Sequence, residues 1–242
     1  MEKNIDLIIF DLDGTLIDSK VDIADSVNFT LRELNLKEIP YELIYTYVGN
    51  GVEPLIRLAL ERSEGRAMET ASLPTPTLKK GGNGGIEKAL AIFRTYYWEH
   101  LLDNTVLYPN VIEVIKRLSG IKKAVVSNKS ERFVKKILLG LAIDGYFEIA
   151  LGGDSLKNKK PHPDMINSVT ERLGISSSRT LIVGDSAVDI ECGKRAGAYT
   201  CGVSYGYRER DELVSAGADW IIEDMGELVN LIMLQEPFFR FR

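Results

Sequence analysis

A short apolar run over Leu7–Phe10 ends on two carboxylates, Asp11 and Asp13, which are followed directly by Gly14 and Thr15. A continuous apolar run of this length is typical of a strand buried on both faces. Side chains two positions apart point to the same side of a strand, and a turn at the glycine lets the two carboxylates converge. Two anions held at one point need a cation or a shared proton. Taken alone, the pattern is also typical of an ordinary strand-to-loop turn.

Apolar runs of strand length alternate with helical stretches between about residue 121 and residue 203. The runs cover residues 124–127, 147–152, 180–185 and 199–203. The stretches between them carry apolar residues at helical spacing, as in the stretch that ends before Gly174. Strands that alternate with helices in this way favour parallel βαβ units. The predicted fold class is therefore α/β, with a doubly wound, Rossmann-like parallel sheet.

Residues 18–105 interrupt this alternation, because they carry a helical pattern with Ile23, Val27 and Leu31 on one face. The first strand therefore has no partner strand until the later part of the chain. We expect a helical domain over residues 18–105, inserted into an α/β core formed by residues 1–17 and 106–242. The stretch at 63–85 is rich in Gly, Pro, Thr and Ser, which predicts a mobile loop. The aromatic tail at 237–242 is expected to pack on the core or on a second subunit.

The overall composition narrows the classes of partner. The formal net charge is -5, whereas a surface for nucleic acid needs clustered basic residues in excess. Cys192 and Cys201 fit no metal-ligand spacing, so we expect buried free thiols in a reducing compartment. No apolar run approaches the roughly 20 residues of a membrane span, and the first residues do not resemble a signal peptide. We expect a soluble cytoplasmic protein without a nucleic-acid or membrane partner.

Polar residues follow the later strands where each strand is predicted to end. Ser127 and Asn128 follow one strand, and Asp185 ends another, with Asp189 one turn into the next helix. Lys160 lies between them and precedes a proline that is expected to open a helix. Because parallel sheets bind ligands at the carboxyl ends of their strands, we expect these side chains to converge with the first carboxylates.

The charges of the converging residues indicate what the site binds. Asp11, Asp13, Asp185 and Asp189 carry about four negative charges, whereas Lys160 carries a single positive charge. An anionic ligand is repelled by this set unless a cation balances the carboxylates. Hard oxygen ligands without nearby cysteine or a histidine cluster favour Mg²⁺ over zinc, and Mg²⁺ commonly bridges carboxylates to a phosphoryl oxygen. A small phosphate ester is therefore the expected substrate, with the first carboxylate placed to attack phosphorus in line.

Four motifs occur in a fixed order: DxDGT at residues 11–15, a strand-terminal serine at 127, Lys-Pro at 160–161 and GDxxxD at 184–189. This set closely resembles the haloacid dehalogenase superfamily, and the resemblance covers nearly the whole chain. It implies an α/β core with an inserted helical cap that closes over the active site. By resemblance, Asp11 is the nucleophile that forms an aspartyl-phosphate, and Asp13 is the acid and later the base. The implied phosphate-binding residues are Ser127, Asn128 and Lys160.

The same resemblance implies a Mg²⁺ site. The ligands are the side chain of Asp11, the backbone carbonyl of Asp13 and the side chain of Asp185, with Asp189 and Thr15 in supporting positions. Taken alone, the two acidic residues of GDxxxD are also typical of a helix N-cap and an acidic first turn. By resemblance, a carboxylate at position 13 separates the chain from the dehalogenase and phosphonatase branches, which leaves a phosphatase or a phosphomutase.

Residues 47–52, 152–163 and 202–207 resemble the phosphoglycolate phosphatase branch of this superfamily. The resemblance makes 2-phosphoglycolate the expected substrate. The Gly-Asn-Gly turn at 49–51 either aims backbone amides at a substrate carboxylate, helped by Arg57 or Arg62, or only shapes the start of a helix. Open alternatives are a sugar phosphomutase, an inorganic pyrophosphatase, a nucleotide phosphatase and a non-catalytic phosphate-binding module. The chain is expected to be a monomer or a homodimer.

Overall fold

The computed structural model describes residues 5–65 and 84–233. The aromatic tail at residues 237–242 and most of the loop predicted at residues 63–85 lie outside this part of the chain. Both cysteines are buried and free, as predicted. None of the helices in the described ranges is long and apolar enough to cross a membrane.

Eight strands occur in the described residues, and six of them form one parallel sheet. They are β1 (Leu7–Phe10), β2 (Ile17–Asp18), β3 (Val106–Leu107), β4 (Lys122–Val126), β5 (Ile149–Leu151), β6 (Thr180–Gly184), β7 (Tyr199–Val203) and β8 (Trp220–Ile222). The sheet has the order β5-β4-β1-β6-β7-β8, and every neighbouring pair is parallel. After β1 the chain adds β4 and β5 on one side of it, and then β6, β7 and β8 on the other side. This arrangement confirms the doubly wound α/β core.

Helices connect these strands. Within the described ranges they are α1 (Lys20–Glu33), α2 (Tyr41–Tyr47), α3 (Val52–Ser63), α4 (Gly84–His100), α5 (Val111–Arg117), α6 (Glu131–Gly140), α7 (Asp164–Leu173), α8 (Ala187–Ala196), α9 (Arg210–Ala216) and α10 (Glu227–Met233). The end of α7 follows the predicted signal, because Gly174 takes a left-handed conformation (φ 67°) that glycine adopts without strain.

The central strand β1 is buried on both faces, which explains its continuous apolar sequence. Its residues are at most 1% exposed. Ile8 and Phe10 join an apolar cluster with α5, α6 and α10, whereas Leu7 and Ile9 join a second cluster with α7 and α8. This division follows from the alternation of side chains along a strand. The edge of the sheet that carries the site is therefore held by a core on each face.

Helices α1–α4, called the helical segment below, lie between the short strands β2 and β3. These two strands pair antiparallel where the chain leaves and re-enters the α/β part. The carboxylate of Asp22, which is 1% exposed, accepts the backbone N–H groups of Asn104 at 2.9 Å and Thr105 at 2.8 Å. The two chain crossings are thus tied together by hydrogen bonds. The assignment of residues 18–105 to a separate domain stays a prediction.

Two local predictions about the α/β part were wrong. The helix after Lys160 begins at Asp164 and not at Pro161, with Pro163 as its N-cap residue. Two prolines in close succession postpone helix formation, because the residue before a proline is driven away from helical geometry. The run at 147–152 forms a strand only over Ile149–Leu151. The edge strand β8 was not predicted from the sequence, because three residues are too few to form a recognisable apolar run.

Candidate active site

The carboxyl ends of β1 and β6 meet where the winding of the sheet changes direction. The two strands are neighbours, with Phe10 beside Val183. The backbone N–H of Asp11 donates to the carbonyl of Val183 at 2.9 Å, and Asp185 follows the last residue of β6. Open α/β sheets bind ligands in the crevice at such a switch point. The topology therefore brings the first and fourth predicted motifs together at the carboxyl ends of β1 and β6.

Lys160 is buried between two carboxylates, with 4% of its surface exposed. Its Nζ donates to Asp11 Oδ1 at 2.7 Å, to Asp189 Oδ1 at 2.6 Å and to the carbonyl of Val126 at 2.8 Å. Burial opposes the charge, but Asp11 and Asp189 outweigh it and raise the pKa of Lys160. These contacts use all three N–H groups of the ammonium. Lys160 is therefore a fixed positive charge beside Asp11.

Asp11, Asp185 and Asp189 form a carboxylate cluster in which one oxygen of each lies within 4.8 Å of the others. Burial raises the pKa of Asp11 to about 7, against the opposing effect of Lys160 and with a contribution from the charge of Asp189. Burial, followed by the charges of Asp11 and Asp189, raises the pKa of Asp185 well above its ordinary value. One lysine does not neutralise three buried carboxylates, and their hard oxygen atoms suit a divalent cation.

Two glycines, Gly14 and Gly206, pack so closely against Asp185 that neither position has room for a Cβ atom. Gly14 has φ +85°, and a Cβ atom there would lie 2.2 Å from Asp185 Oδ2. A Cβ atom on Gly206 would lie 2.3 Å from the Cβ atom of Asp185. The backbone N–H of Tyr207 donates to Asp185 Oδ2 at 2.7 Å. These contacts fix the carboxylate beside the DxDGT turn, which is where a shared cation would have to bind.

The contacts of Asp189 fit both its predicted supporting position and an acidic residue in the first turn of a helix. It lies in the first turn of α8, and its Oδ2 accepts the backbone N–H of Ser186 at 3.2 Å and the hydroxyl of Ser186 at 2.6 Å. Its Oδ1 accepts Lys160 Nζ. The N-cap of α8 is Ser186, so the alternative in which Asp185 caps the helix is wrong. Both oxygens of Asp189 are engaged by protein groups, which suits a supporting position.

Asp13 faces the helical segment. Its Oδ1 accepts the hydroxyl of Ser19 at 2.5 Å and the ammonium of Lys129 at 2.6 Å. The same Lys129 Nζ donates to the hydroxyl of Tyr97, in α4, at 2.6 Å. The side chains of Asp13 and Lys129 are 10% and 9% exposed. This carboxylate therefore lies at the boundary between the α/β part and the helical segment, whereas Asp11 lies at the sheet edge.

The three other predicted residues have different environments. The Ser127 hydroxyl accepts the backbone N–H of Lys129 at 3.2 Å, which leaves its own proton free to donate. The Asn128 amide donates to the carbonyls of Gly49 and Lys160, both at 3.1 Å, while its Oδ1 is buried without a partner in the described residues. Thr15 is fully buried, and its hydroxyl likewise has no partner there. The amide of Asn128 therefore joins two loops and is not free to donate to a ligand.

A cavity of about 60 Å³ separates the helical segment from the strand ends. Its polar lining includes Asp11, Asp13 and Ser127, and the helical segment supplies the apolar side chains of Ile23, Val52, Leu55 and Phe93. Gly51 lines the cavity and is the N-cap residue of α3. Arg57 is paired with Glu53 at 2.7 Å, and neither it nor Arg62 belongs to the described lining. The turn at 49–51 thus approaches the site, but the expected arginine does not.

Comparisons with known proteins agree with this geometry. Residues 8–203 match the family described as haloacid dehalogenase-like hydrolases. A phosphoglycolate phosphatase from Haemophilus influenzae is 37% identical over 234 residues, covering 96% of this chain and 100% of that protein. The chain belongs to the haloacid dehalogenase-like hydrolases.

Two further comparisons cover the same extent of this hydrolase. A phosphoglycolate phosphatase from Colwellia psychrerythraea is 36% identical over 226 residues, or 93% of this chain and 95% of that protein. A crystal structure described as a predicted phosphoglycolate phosphatase from Haemophilus somnus superposes with a TM-score of 0.84 at 33% identity. That comparison covers 94% of this chain and 97% of the other. The similarity therefore includes the helical segment as well as the sheet.

Sequence reasoning about this hydrolase missed Lys129, Tyr97 and Ser19. Lys129 had a usable signal, because it directly follows Ser127 and Asn128, the two polar residues after β4. Tyr97 had none, since it occupies an apolar position of a helix and is 1% exposed. Ser19 lies at the start of α1, where a serine is typical of a helix cap. Its hydroxyl instead reaches Asp13.

Proposed function

We propose that this hydrolase is a Mg²⁺-dependent phosphatase that cleaves a small phosphate monoester, 2-phosphoglycolate being the best candidate, through an aspartyl-phosphate on Asp11. The observation that carries the proposal is the position of Asp11. Its carboxylate lies at the switch point of the sheet, 2.7 Å from the ammonium of Lys160, and borders the cavity beneath the helical segment. A nucleophile, a fixed counter-charge and room for a small ester thus occur together.

Asp11 is suited to attack phosphorus. Lys160 holds its Oδ1, and the described contacts leave Oδ2 available to form the new bond. The P–O bond to Asp11 forms as the P–O bond to the alcohol breaks. Asp11, Asp185 and the backbone carbonyl of Asp13 are the proposed Mg²⁺ ligands, with Asp189 and Thr15 supporting. When bound, Mg²⁺ would neutralise the carboxylates and the negative charge that develops on the phosphoryl oxygens.

Asp13 is suited to move the proton in both steps. In the first step it protonates the leaving alkoxide, and in the second it takes a proton from the water that attacks phosphorus. The bond between phosphorus and Asp11 then breaks, which releases phosphate and restores the free carboxylate. The hydroxyl of Ser19 and the ammonium of Lys129 support Asp13 by fixing one of its oxygens. Its second oxygen remains for the proton transfer.

Ser127, Asn128 and Lys160 are the proposed phosphate-binding residues, with unequal roles. The free proton of the Ser127 hydroxyl can donate to a phosphoryl oxygen. Lys160 contributes as a fixed charge, since its three N–H groups already have acceptors. Asn128 contributes indirectly. Its side-chain amide donates to the backbone carbonyls of Gly49 and Lys160 and so holds these two loops together.

The choice of a small ester over the alternatives rests on the cavity and on the relatives. A sugar bisphosphate needs cationic groups for its second phosphate, but Lys129 is the one cation among the described residues that line this cavity, and Arg208 in the adjoining cavity already donates to the carbonyls of Thr46 and Val48. The relatives at 37% and 36% identity are phosphoglycolate phosphatases. All of Asp11, Asp13 and Lys160 are present, which disfavours a non-catalytic binding module.

Phosphate release from a panel of esters tests the proposal. The panel holds 2-phosphoglycolate, glucose 1-phosphate, pyrophosphate and a nucleoside monophosphate at equal concentration, each with Mg²⁺ or with a chelator. We expect Mg²⁺-dependent release that is fastest from 2-phosphoglycolate. A preference for another ester would overturn the substrate while keeping the mechanism. Release that is unaffected by the chelator would overturn the metal requirement, and no release from any compound would overturn the phosphatase.

A further inference from the structure

Lys129 connects the proposed acid–base residue to the helical segment. It lies in the loop after β4, and its Nζ donates to Asp13 Oδ1 and to the Tyr97 hydroxyl, both at 2.6 Å. An ammonium carries three N–H groups. Two of them are used by these contacts, and the described residues provide no third acceptor. A buried ammonium therefore borders the cavity with one donor left for a ligand.

Tyr97 supplies a second donor at the same place. Its ring stacks on Phe93, with centroids 5.3 Å apart, and meets the edge of Phe133 at 5.2 Å. These contacts fix the ring, which is 1% exposed. The hydroxyl oxygen accepts from Lys129, so the phenolic proton is free to donate. Burial raises the pKa of Tyr97 to about 12, and the hydroxyl therefore keeps its proton at neutral pH.

We propose that Lys129 and Tyr97 determine substrate specificity by binding a carboxylate on the leaving group, one carbon away from the ester oxygen. This inference rests on the proposed function. The remaining described lining from the helical segment is mostly apolar, so these two groups are the ones suited to a second negative charge. The N-terminus of α3, which borders the same cavity at Gly51, adds a favourable dipole.

Distances along the hydrogen-bonded chain indicate which leaving groups fit. A leaving oxygen that takes a proton from Asp13 lies about 2.7 Å from one carboxylate oxygen of that residue. Lys129 Nζ lies 2.6 Å from Asp13 Oδ1. A carboxylate separated from the ester oxygen by one methylene can therefore reach Nζ, because the two hydrogen bonds are separated only by the width of the Asp13 carboxylate. A longer spacer would place the carboxylate among the apolar side chains.

The experiment compares two esters that differ in this carboxylate. The rate constant kcat/KM is measured with Mg²⁺ for 2-phosphoglycolate and for ethyl phosphate, which has a methyl group in place of the carboxylate. The variants are Lys129→Met and the matched control Lys136→Met. Lys136 also joins α6 to α4, since its Nζ donates to the carbonyl of Trp98, but it lies outside the described lining of the cavity.

We expect Lys129→Met to lower kcat/KM for 2-phosphoglycolate roughly 30-fold more than for ethyl phosphate, since it removes one partner of a buried ion pair. Most of this selective loss should appear in KM. Lys136→Met should leave the ratio of the two esters unchanged. If Lys129→Met does not fold, Tyr97→Phe tests the same idea, with a smaller selective loss.

Three outcomes overturn the inference in distinguishable ways. Equal losses for both esters, in an enzyme whose wild type prefers 2-phosphoglycolate, would mean that Lys129 only positions Asp13. The proposed function would then stand. A wild-type enzyme that shows no preference for the carboxylated ester would overturn the proposed substrate and this inference together. A ratio that shifts equally in Lys136→Met would assign the effect to the joint between the helices.

Discussion

The two sides of the cavity are built in opposite ways. On the side of the sheet, Lys160 and three carboxylates contact one another through hydrogen bonds of 2.6–2.7 Å or share a cluster 4.8 Å across. On the side of the helical segment, most lining side chains are apolar, and the described polar group is the Tyr97 hydroxyl. The first side is suited to stabilise charge on a phosphoryl group. The helical side is suited to select the size and charge of the leaving group.

The difference shows how this chain separates reactivity from selectivity. The charged groups at the carboxyl ends of the strands share Lys160 or lie within 4.8 Å of one another, so a substitution there changes the others. Apart from Tyr97, the lining side chains on the helical side are apolar, so substitutions among them can change the shape of the cavity without changing the charge at phosphorus. The two sides should therefore respond differently to substitution.

The largest expected effect comes from Asp11→Asn on the side of the sheet. An amide is a far weaker nucleophile, so release of phosphate from 2-phosphoglycolate should fall below detection. The fold should remain intact, because the variant removes one of three buried carboxylates that repel one another. Circular dichroism and phosphate release on the same preparation check both expectations. Activity that persists in protein free of wild type would remove Asp11 as the nucleophile.

Lys160→Met should cause the largest loss of stability. Removing one partner of a buried ionic network costs about 3–5 kcal/mol of unfolding free energy. The matched control is Lys123→Met, because Lys123 is also 4% exposed but donates only to the carbonyls of Leu118 and Ile121 in the described contacts. We expect about 1 kcal/mol for the control. Denaturant unfolding in chelator measures both. Equal losses would contradict the importance of the carboxylates.

Leu55→Ala tests the helical side. Leu55 is 5% exposed and lines the cavity, whereas its neighbour Ile56 is 1% exposed and is absent from the described lining. Both alanine variants should lose about 2–4 kcal/mol of unfolding free energy. Only Leu55→Ala should raise the rate for bulkier esters relative to 2-phosphoglycolate. An equal change of preference in Ile56→Ala would mean that softening of the helices, and not cavity size, controls selectivity.

Asp154→Asn should have the smallest effect, because Asp154 lies in the loop after β5 and, among the described residues, contacts only the start of α6. The Asp154 carboxylate accepts the hydroxyl of Ser130 and, at 2.7 Å, the backbone N–H of Glu131 at the start of α6. Burial is outweighed by these hydrogen bonds, which lower the pKa of Asp154. The loss should be about 0.5–1 kcal/mol near neutral pH, since the group is exposed to solvent.

A depressed pKa fixes the pH at which this small effect disappears. The stabilisation by Asp154 is present above the ordinary carboxyl pKa of 3.8 and is lost as the pH falls through the lower pKa of the folded state. Unfolding free energies of the wild type and Asp154→Asn should therefore converge below about pH 4. A difference that grows in acid would contradict this assignment.

Sequence patterns predicted the side of the sheet better than the helical side. The strand ends at Asp11 and Asp185 were predictable because a parallel sheet needs continuous apolar strands and places polar ligands at their carboxyl ends. The Tyr97 hydroxyl was not, because a tyrosine on the apolar face of a helix has the same pattern whether or not its hydroxyl reaches a site. The contact between Lys129 and Asp13 depends on how two loops pack, which local periodicity does not encode. The roles given to the site residues stay predictions.

The most direct test of the account is to identify the residue that becomes phosphorylated. Wild type and Asp13→Asn are mixed with 2-phosphoglycolate and Mg²⁺, quenched in acid within milliseconds to seconds, digested and analysed by mass spectrometry. We predict one added phosphoryl group on the peptide that contains Asp11. In Asp13→Asn this group should form more slowly and, once formed, persist longer, because the variant lacks both the acid of the first step and the base of the second. Phosphate release without any phosphorylated peptide, or a phosphoryl group on another residue, would contradict the account.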